Sequence, residues 1–383
     1  MLIKSVRATL LKERVLWARE VEHTVSMRRQ AQRLPIQRVS GPRLPMRQGP
    51  PLGSVLVEIE TDEGTVGVGL GGGGMPGVLI VQTLLEPLLT GQDPLDIEGL
   101  WESMYRATFR YGQAGIVLMA MSGVDLALWD LKGRIAGQAV WQLLGGKVRD
   151  RIPVYATIRD PLWAKTLGCS GIKLGGPFGP ADGQEGMIKN ESHVASLRES
   201  VGPDFDIMID CARTWDVDYT IKMAGILAPY HIRFIEEPIL STDIDGYVEM
   251  RRSIDSTLIC CGEHAYTRHA NRTLLEREAV DIIQPDIRWT GGLSETLKIC
   301  DLAAEHEIPV MPHRGGMAWS LHLIMARPEC ILAEGLVLTQ EEAEYSVFSG
   351  EPVPEQGYLT VSDRPGFGLT LIDERIDRFR SEV

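Results

Sequence analysis

Carboxylates, histidines and a lysine recur through the second half of this chain, each at the close of a short apolar run: Lys173, Asp210, Glu236 with Glu237, Glu263 with His264, Asp286, His313 and Glu334. Asp210, one of Glu236 and Glu237, and Glu263 fall on three successive runs. If successive runs are neighbouring strands, these carboxylates converge, and clustered anions withdrawn from water are tolerable only beside a neutralising cation. A divalent metal is the expected partner, and an all-oxygen ligand set favours a hard ion such as Mg²⁺ over Zn²⁺. Strand alternation sends only one of Glu236 and Glu237 inward and does not choose between them. Asp286 and His313 close two adjoining runs. A carboxylate that accepts one ring N–H fixes the imidazole tautomer and leaves the other nitrogen to take a proton, so the pair has the makings of a general base. Taken singly, an acid at a strand end is ordinarily a helix cap or surface ion-pair partner, and a lone histidine a satisfied core residue. Recurrence over consecutive runs is what argues for a site.

The runs themselves are IPVYAT from Ile152, SGIKLG from Ser170, FDIMIDC from Phe205, IRFIEEP from Ile232, TLICCGEH from Thr257, AVDIIQPD from Ala279, IPVMPHR from Ile308 and CILAEGL from Cys330. Helical stretches separate them. Such alternation specifies a parallel sheet with right-handed crossovers, eight strands of which close into a TIM barrel whose active site lies at the C-terminal strand ends. Ahead of this, SVLVEIETDEGTVGVGL from Ser54 reads as two strands about a turn at Asp62 to Gly64, and residues from Val78 to Gly145 carry helical periodicity. An α+β unit is expected there. Gly72, Gly74 and Gly77 can be scanned as G-x-G-x-x-G, but residues 97–111 look helical where a dinucleotide fold needs a parallel strand. Beyond Thr339 the chain turns rich in Pro, Gly and acids, and PGFGLTL from Pro365 reads as a terminal strand.

The 383 residues are 44% hydrophobic and 24% charged, which is globular composition, and the formal charge of −13 argues against nucleic acid as a partner. Met1 to Arg14 has no unbroken apolar stretch and nothing later approaches a membrane span, so no membrane partner and a cytoplasmic location are expected. The six cysteines show no C-x-x-C spacing. Neither disulfides nor a zinc site is expected, and Cys211 reads as a buried packing thiol rather than a nucleophile.

Asp210, IEEP at 235–238, GEH at 262–264, QPD at 284–286 and PH at 312–313 together resemble the enolase superfamily, mandelate racemase type. Within it, SGVDLALWDLKGR from Ser122, LLGGKVRD from Leu143, the GP-x-DG run between Gly175 and Gly186, and IDC ending in Cys211 resemble the L-rhamnonate dehydratases, over nearly all of residues 115–375. The resemblance implies a modified TIM (β/α) barrel over 149–338, an N-terminal α+β capping domain over 1–148, and a segment over 339–383 that packs back on the cap. It implies that Asp210, Glu236 and Glu263 bind one Mg²⁺ per subunit and that His313 with Asp286 moves protons. It places Lys173 and Glu334 at the reacting oxygens, with Glu334 holding a proton because burial among acids favours that state, and leaves His264 as an alternative proton donor. Many relatives carry Lys-x-Lys where this chain has Lys173 and then Gly175, so dehydration by one base is favoured over racemisation by two. The implied reaction removes the C2 proton of an acid sugar and expels the C3 hydroxyl, giving a 2-keto-3-deoxy acid. Arg47, in an arginine-rich stretch from Arg28, resembles a lid residue that contacts substrate, and His23 stands where a substrate-binding histidine is found in the family. Rhamnonate is one of several aldonates that would fit. A homo-oligomer is implied. The competing readings are an epimerase or cycloisomerase, and a non-catalytic relative.

Overall fold

Alternation of apolar and polar residues lays three strands side by side in the N-terminal region of the computed structural model, which describes residues 1–11, 52–158 and 160–379. β1 (Ile3–Leu11), β2 (Ser54–Thr61) and β3 (Val66–Gly71) form an antiparallel sheet in that order. A helical stretch from Gly74 to Leu89 follows, and after it the two longer helices α1 (Ile97–Thr108) and α2 (Ile116–Ala136). On β3 every second residue is glycine, and a Cβ on Gly69 would stand 2.1 Å from the Gly123 carbonyl of α2. The glycines therefore let a helix backbone lie directly on a strand. α2 is apolar around most of its circumference because it is buried between this sheet and the rest of the protein.

The barrel strands are β4 (Ile152–Ala156), β5 (Gly171–Gly175), β6 (Asp206–Asp210), β7 (Ile232–Glu236), β8 (Leu258–Cys261), β9 (Ile282–Ile283) and β10 (Ala333–Gly335). Each of β4 to β8 pairs in parallel with the next, and β10 pairs in parallel with β4. The expected strand at Ile308 is reduced to bridges from Val310 to Ile283 and Cys330. Pro309 and Pro312 flank that position, and proline has no N–H to give to a ladder. Tyr155, Met208, Phe234, Cys260, Ile282, Met311 and Leu332 fill the interior as one apolar cluster. Two residues after most of them comes a polar side chain on the same face: Thr157, Asp210, Glu236, Gln284, His313 and Glu334. One period of alternation thus lifts each strand from an apolar plug to a polar layer at the mouth.

After the barrel, β11 (Phe348–Ser349) pairs with β13 (Thr370–Leu371), and β12 (Tyr358–Leu359) adds to β4 antiparallel. The segment beyond residue 339 thus packs on the barrel as well as on α2, where Asp130 accepts bonds from Val68 N and Phe367 N, both at 2.9 Å, and Arg134 donates to Leu369 O. Of PGFGLTL only Thr370 and Leu371 are strand, since Gly366 and Gly368 adopt positive φ. All six cysteines are buried, and burial drives the Cys211 thiol well above its ordinary range. No helix among the described residues is long and apolar enough to cross a membrane.

His322 staples three parts of the chain. Its Nδ1 accepts from Trp141 N at 3.1 Å and its Nε2 donates to the Phe367 carbonyl at 3.2 Å. Burial lowers its pKa from 6.5 to about 3, although the Phe367 carbonyl opposes the shift. The unfolded chain therefore takes up the proton first as pH falls, and stability that is fully present above pH 6.5 is lost progressively towards pH 3. At pH 5 the loss is about 2 kcal/mol. Urea unfolding of His322→Asn, which keeps a donor and an acceptor but does not titrate, should show a pH 7.5 to pH 5 stability difference smaller than wild type by about that amount. Equal pH dependence in the two proteins would remove His322 from the account.

Candidate active site

Lys173 lies in the middle of β5 rather than at its end and points inward by the same alternation. Its Nζ stands 2.8 Å from both Glu236 oxygens and 2.8 Å from Glu334 Oε1. Gln284 Nε2 donates to Glu236 Oε2 at 3.0 Å, and Thr157 Oγ1 donates to Glu334 Oε1 at 2.6 Å. Glu236 shares the inward face of β7 with Phe234, which settles the orientation that alternation left open. Glu237 leaves the strand with φ +39 and still reaches the mouth, where its carboxylate meets Arg213 and His264 Nδ1, the latter at 2.9 Å. Asp210 ends β6 and accepts from Ala212 N at 2.8 Å.

His313 Nδ1 is 2.8 Å from Asp286 Oδ2, and its Nε2 is 3.0 Å from Glu263 Oε2. The other Glu263 oxygen lies 3.0 Å from His264 Nδ1 and 3.3 Å from Arg213 Nη1. Trp289 stands against both imidazoles, with ring centroids 5.5 Å from His264 and 5.4 Å from His313. The two histidines, the acids and Lys173 thus form one connected layer.

The charges in that layer do not balance locally. Burial, added to by Asp210, Glu334 and Glu263, pushes Glu236 up to about 8 in spite of Lys173. Burial also raises Asp210, with Glu263 and Glu237 reinforcing it against Lys173. For Lys173, burial favours the neutral amine, but Glu236 and Glu334 outweigh it and hold the ammonium far above its usual range. All three directions describe a site with more negative charge than its lysine neutralises. Burial would lower His313, yet Glu263, Asp286 and Glu334 push it up to about 9, and Glu237 with Glu263 does the same for His264, also to about 9 against burial. Glu263 is held well below the carboxylate range because His313, His264 and Lys173 overcome its burial. Glu334 corrects an expectation. Burial would raise it, but Lys173, His313 and Thr157 hold it down to about 2, so it is ionised rather than protonated.

The ligand atoms of Glu237, Glu263 and His264 come within 4.8 Å of one another. His264 in this arrangement is an imidazolium held by two carboxylates, and an imidazolium has no lone pair to give a metal. The three carboxylates anticipated from the sequence, Asp210, Glu236 and Glu263, are the all-oxygen set that suits a hard cation, and Lys173 reaches only Glu236 among them.

Gly175, two residues after Lys173, would present a Cβ with nothing within 4 Å. Arg47 and His23 lie outside the described residues. Sequence reasoning missed Gln284, Thr157, Arg213 and Trp289. Gln284 and Thr157 were open to discovery, because each shares its strand face with a residue of the apolar plug. Arg213 was not, because its reach depends on positive φ at Ala212 and Arg213, which no local pattern signals.

Comparison with known proteins gives a consistent likeness. Residues 162–375 match the model described as enolase C-terminal domain-like, and residues 46–145 match that of the mandelate racemase / muconate lactonizing enzyme N-terminal domain. The chain is 43% identical over 329 residues to an L-rhamnonate dehydratase of Saccharopolyspora erythraea, with 84% of each covered. Among solved structures it resembles rhamnonate dehydratase from Gibberella zeae complexed with Mg, with a TM-score of 0.86 and 34% identity over 99% of this chain and 96% of that one. It also resembles 3,6-anhydro-D-galactonate cycloisomerase from Zobellia galactanivorans, with a TM-score of 0.81 and 25% identity over the whole of both chains.

Removing the Lys173 ammonium isolates the cost of the anions around it. With EDTA present, Lys173→Met should lower the unfolding free energy by about 3–5 kcal/mol, the usual loss when one partner of a buried pair is deleted. Lys173→Met combined with Glu334→Gln should recover part of it. A single variant as stable as wild type would show that Lys173 does not neutralise the site.

Proposed function

Since the chain belongs to the mandelate racemase / muconate lactonizing enzyme family, we propose that it is a Mg²⁺-dependent acid-sugar dehydratase, that its substrate is L-rhamnonate or a close aldonate, and that the polar layer of the barrel is its active site. The observation that carries the residue assignment is His313, held by Asp286 on one ring nitrogen and facing the carboxylate cluster with the other. Asp210, Glu236 and Glu263 would hold the ion, and their donor chemistry and excess charge fit it. When bound, Mg²⁺ supplies Lewis acidity towards the substrate carboxylate and so acidifies the adjoining C–H.

His313 Nε2 takes the C2 proton. Asp286 fixes the tautomer through Nδ1 and stabilises the imidazolium that results. Any engagement of Glu263 away from His313 removes the neighbour that most strongly holds Nε2 protonated, and so leaves the ring as a base. Lys173, pinned between Glu236 and Glu334, offers positive charge to the oxygens on which electron density gathers. The C3 hydroxyl leaves as water once it receives a proton, from His313 on the same face or from His264. The enol product then tautomerises to the 2-keto-3-deoxy acid. Gly175 supports a single-base elimination over epimerisation, because the position for an opposed lysine carries no side chain. Arg47 and His23 are proposed to contact the distal end of the sugar.

Purified protein incubated with Mg²⁺ and a panel of aldonates in D₂O should form a semicarbazide-reactive 2-keto-3-deoxy acid from L-rhamnonate or a near relative. EDTA should abolish it, and His313→Asn should lower the rate by about 100-fold or more. Calorimetric titration should show Mg²⁺ binding in wild type that is lost in Asp210→Asn. Deuterium at C2 without keto acid would replace the dehydratase reading with an epimerase, and a folded, Mg²⁺-binding protein silent on the whole panel would overturn it.

A further inference from the structure

A buried carboxylate far from the polar layer reaches it indirectly. Asp125 lies on α2 and is fully buried, and its Oδ2 accepts from Ser294 N at 3.0 Å. Ser294 is in the first turn of the helix Leu293–Glu305, so Asp125 caps that helix from another part of the chain. The chain enters the helix through Gly292, at φ +90, and a Cβ there would stand 2.3 Å from Asp125 Oδ2. The backbone runs against the carboxylate at a point where only glycine fits.

The same entry loop begins at Asp286. Asp286 O accepts from Trp289 N at 2.9 Å and Thr290 N at 2.8 Å, and its Oδ1 accepts from Arg288 N at 2.7 Å. Asp286 therefore ties residues 288–290 into a closed turn. Its far end is gripped by α1 and α2: Gly291 N donates to Ser122 Oγ at 2.9 Å, Trp101 Nε1 donates to Gly291 O at 2.7 Å, and Trp129 Nε1 donates to Ser294 Oγ at 2.9 Å. Asp125 Oδ1, meanwhile, is buried without a hydrogen-bond partner. Burial pushes Asp125 up to about 7 against its hydrogen bonds from Ser294 and Leu293, so this contact is kept at a cost in desolvation.

We infer that Asp125 is a positioning residue for proton transfer, holding from the N-terminal region the loop that sets Asp286 against His313. The inference rests on Asp286 and His313 being the proton-transfer pair. A loop shifted by a fraction of an ångström alters the hydrogen bond that aims the imidazole while leaving the groups that bind substrate in place, so the loss falls on turnover.

The test compares Asp125→Ala, Asp125→Asn and Asp130→Asn in the full-length enzyme with Mg²⁺. Asp130 is the control, a buried acid on the same helix that faces Val68 and Phe367 instead of the loop. Asp125→Ala should lower kcat by about tenfold to 100-fold with KM within about twofold of wild type, Asp125→Asn should restore most of the rate, and Asp130→Asn should lower the melting temperature without that loss of kcat. Hydrogen exchange over residues 286–294 should quicken in Asp125→Ala only. Unchanged kcat and exchange in a folded Asp125→Ala, or an equal loss of kcat in Asp130→Asn, would overturn the inference. If Asp125→Ala does not fold, Ser122→Ala releases Gly291 N from the same loop and is read the same way. A wild type without turnover on any acid sugar sinks the functional reading instead, and the exchange comparison then decides whether Asp125 holds the loop.

Discussion

Negative charge gathered in a low-dielectric pocket is the constraint from which the barrel mouth is built. Asp210, Glu236 and Glu334 stand on strands that the sheet brings together and Glu263 just beyond another, and each needs a cation within a few ångströms to stay ionised. Lys173 serves two of them at once, and His313 and His264 serve Glu263. The protein's own cations therefore stand in for part of the charge that a divalent ion brings.

How much of this could be read beforehand depended on whether a property is carried by period or by contact. The barrel, its apolar plug and the polar layer above it follow from a repeat of two along each strand, which is why Asp210, His313 and Glu334 could be placed from the chain alone. The choice between Glu236 and Glu237 needed the register of one strand, and the family likeness pointed to the residue that the geometry turns inward. The strand at Ile308 was overestimated because hydrophobicity hides the two prolines that deny it a ladder. The ionisation of Glu334 was misjudged because burial was weighed without the ammonium beside it, and no sequence rule places Lys173 Nζ between two acids. Arg213 lay beyond reach altogether, its direction set by two left-handed residues.

The N-terminal region has a part in this chemistry that the order of motifs along the chain conceals. Residues from the two long helices reach across to the loop between β9 and the helix Leu293–Glu305, so the unit that carries no acid or base of the reaction shares in setting the angle of one. A substitution on α2 can therefore change turnover without changing anything the substrate touches.

Asp130 and Arg134 extend that dependence to the order in which the chain is made. Residue 130 leaves the ribosome well before residue 367, yet Asp130 takes one of its two backbone donors from Phe367, Arg134 finds Leu369 O, and β4 gains its antiparallel neighbour only from Tyr358 and Leu359. A product released after the last barrel strand would hold every acid and base of the site, but with a buried carboxylate short of a donor and a strand edge laid bare. The residues that finish the site's support are therefore separated by more than 200 positions from the helix they support, and the barrel depends on a segment that contributes no acid or base to it.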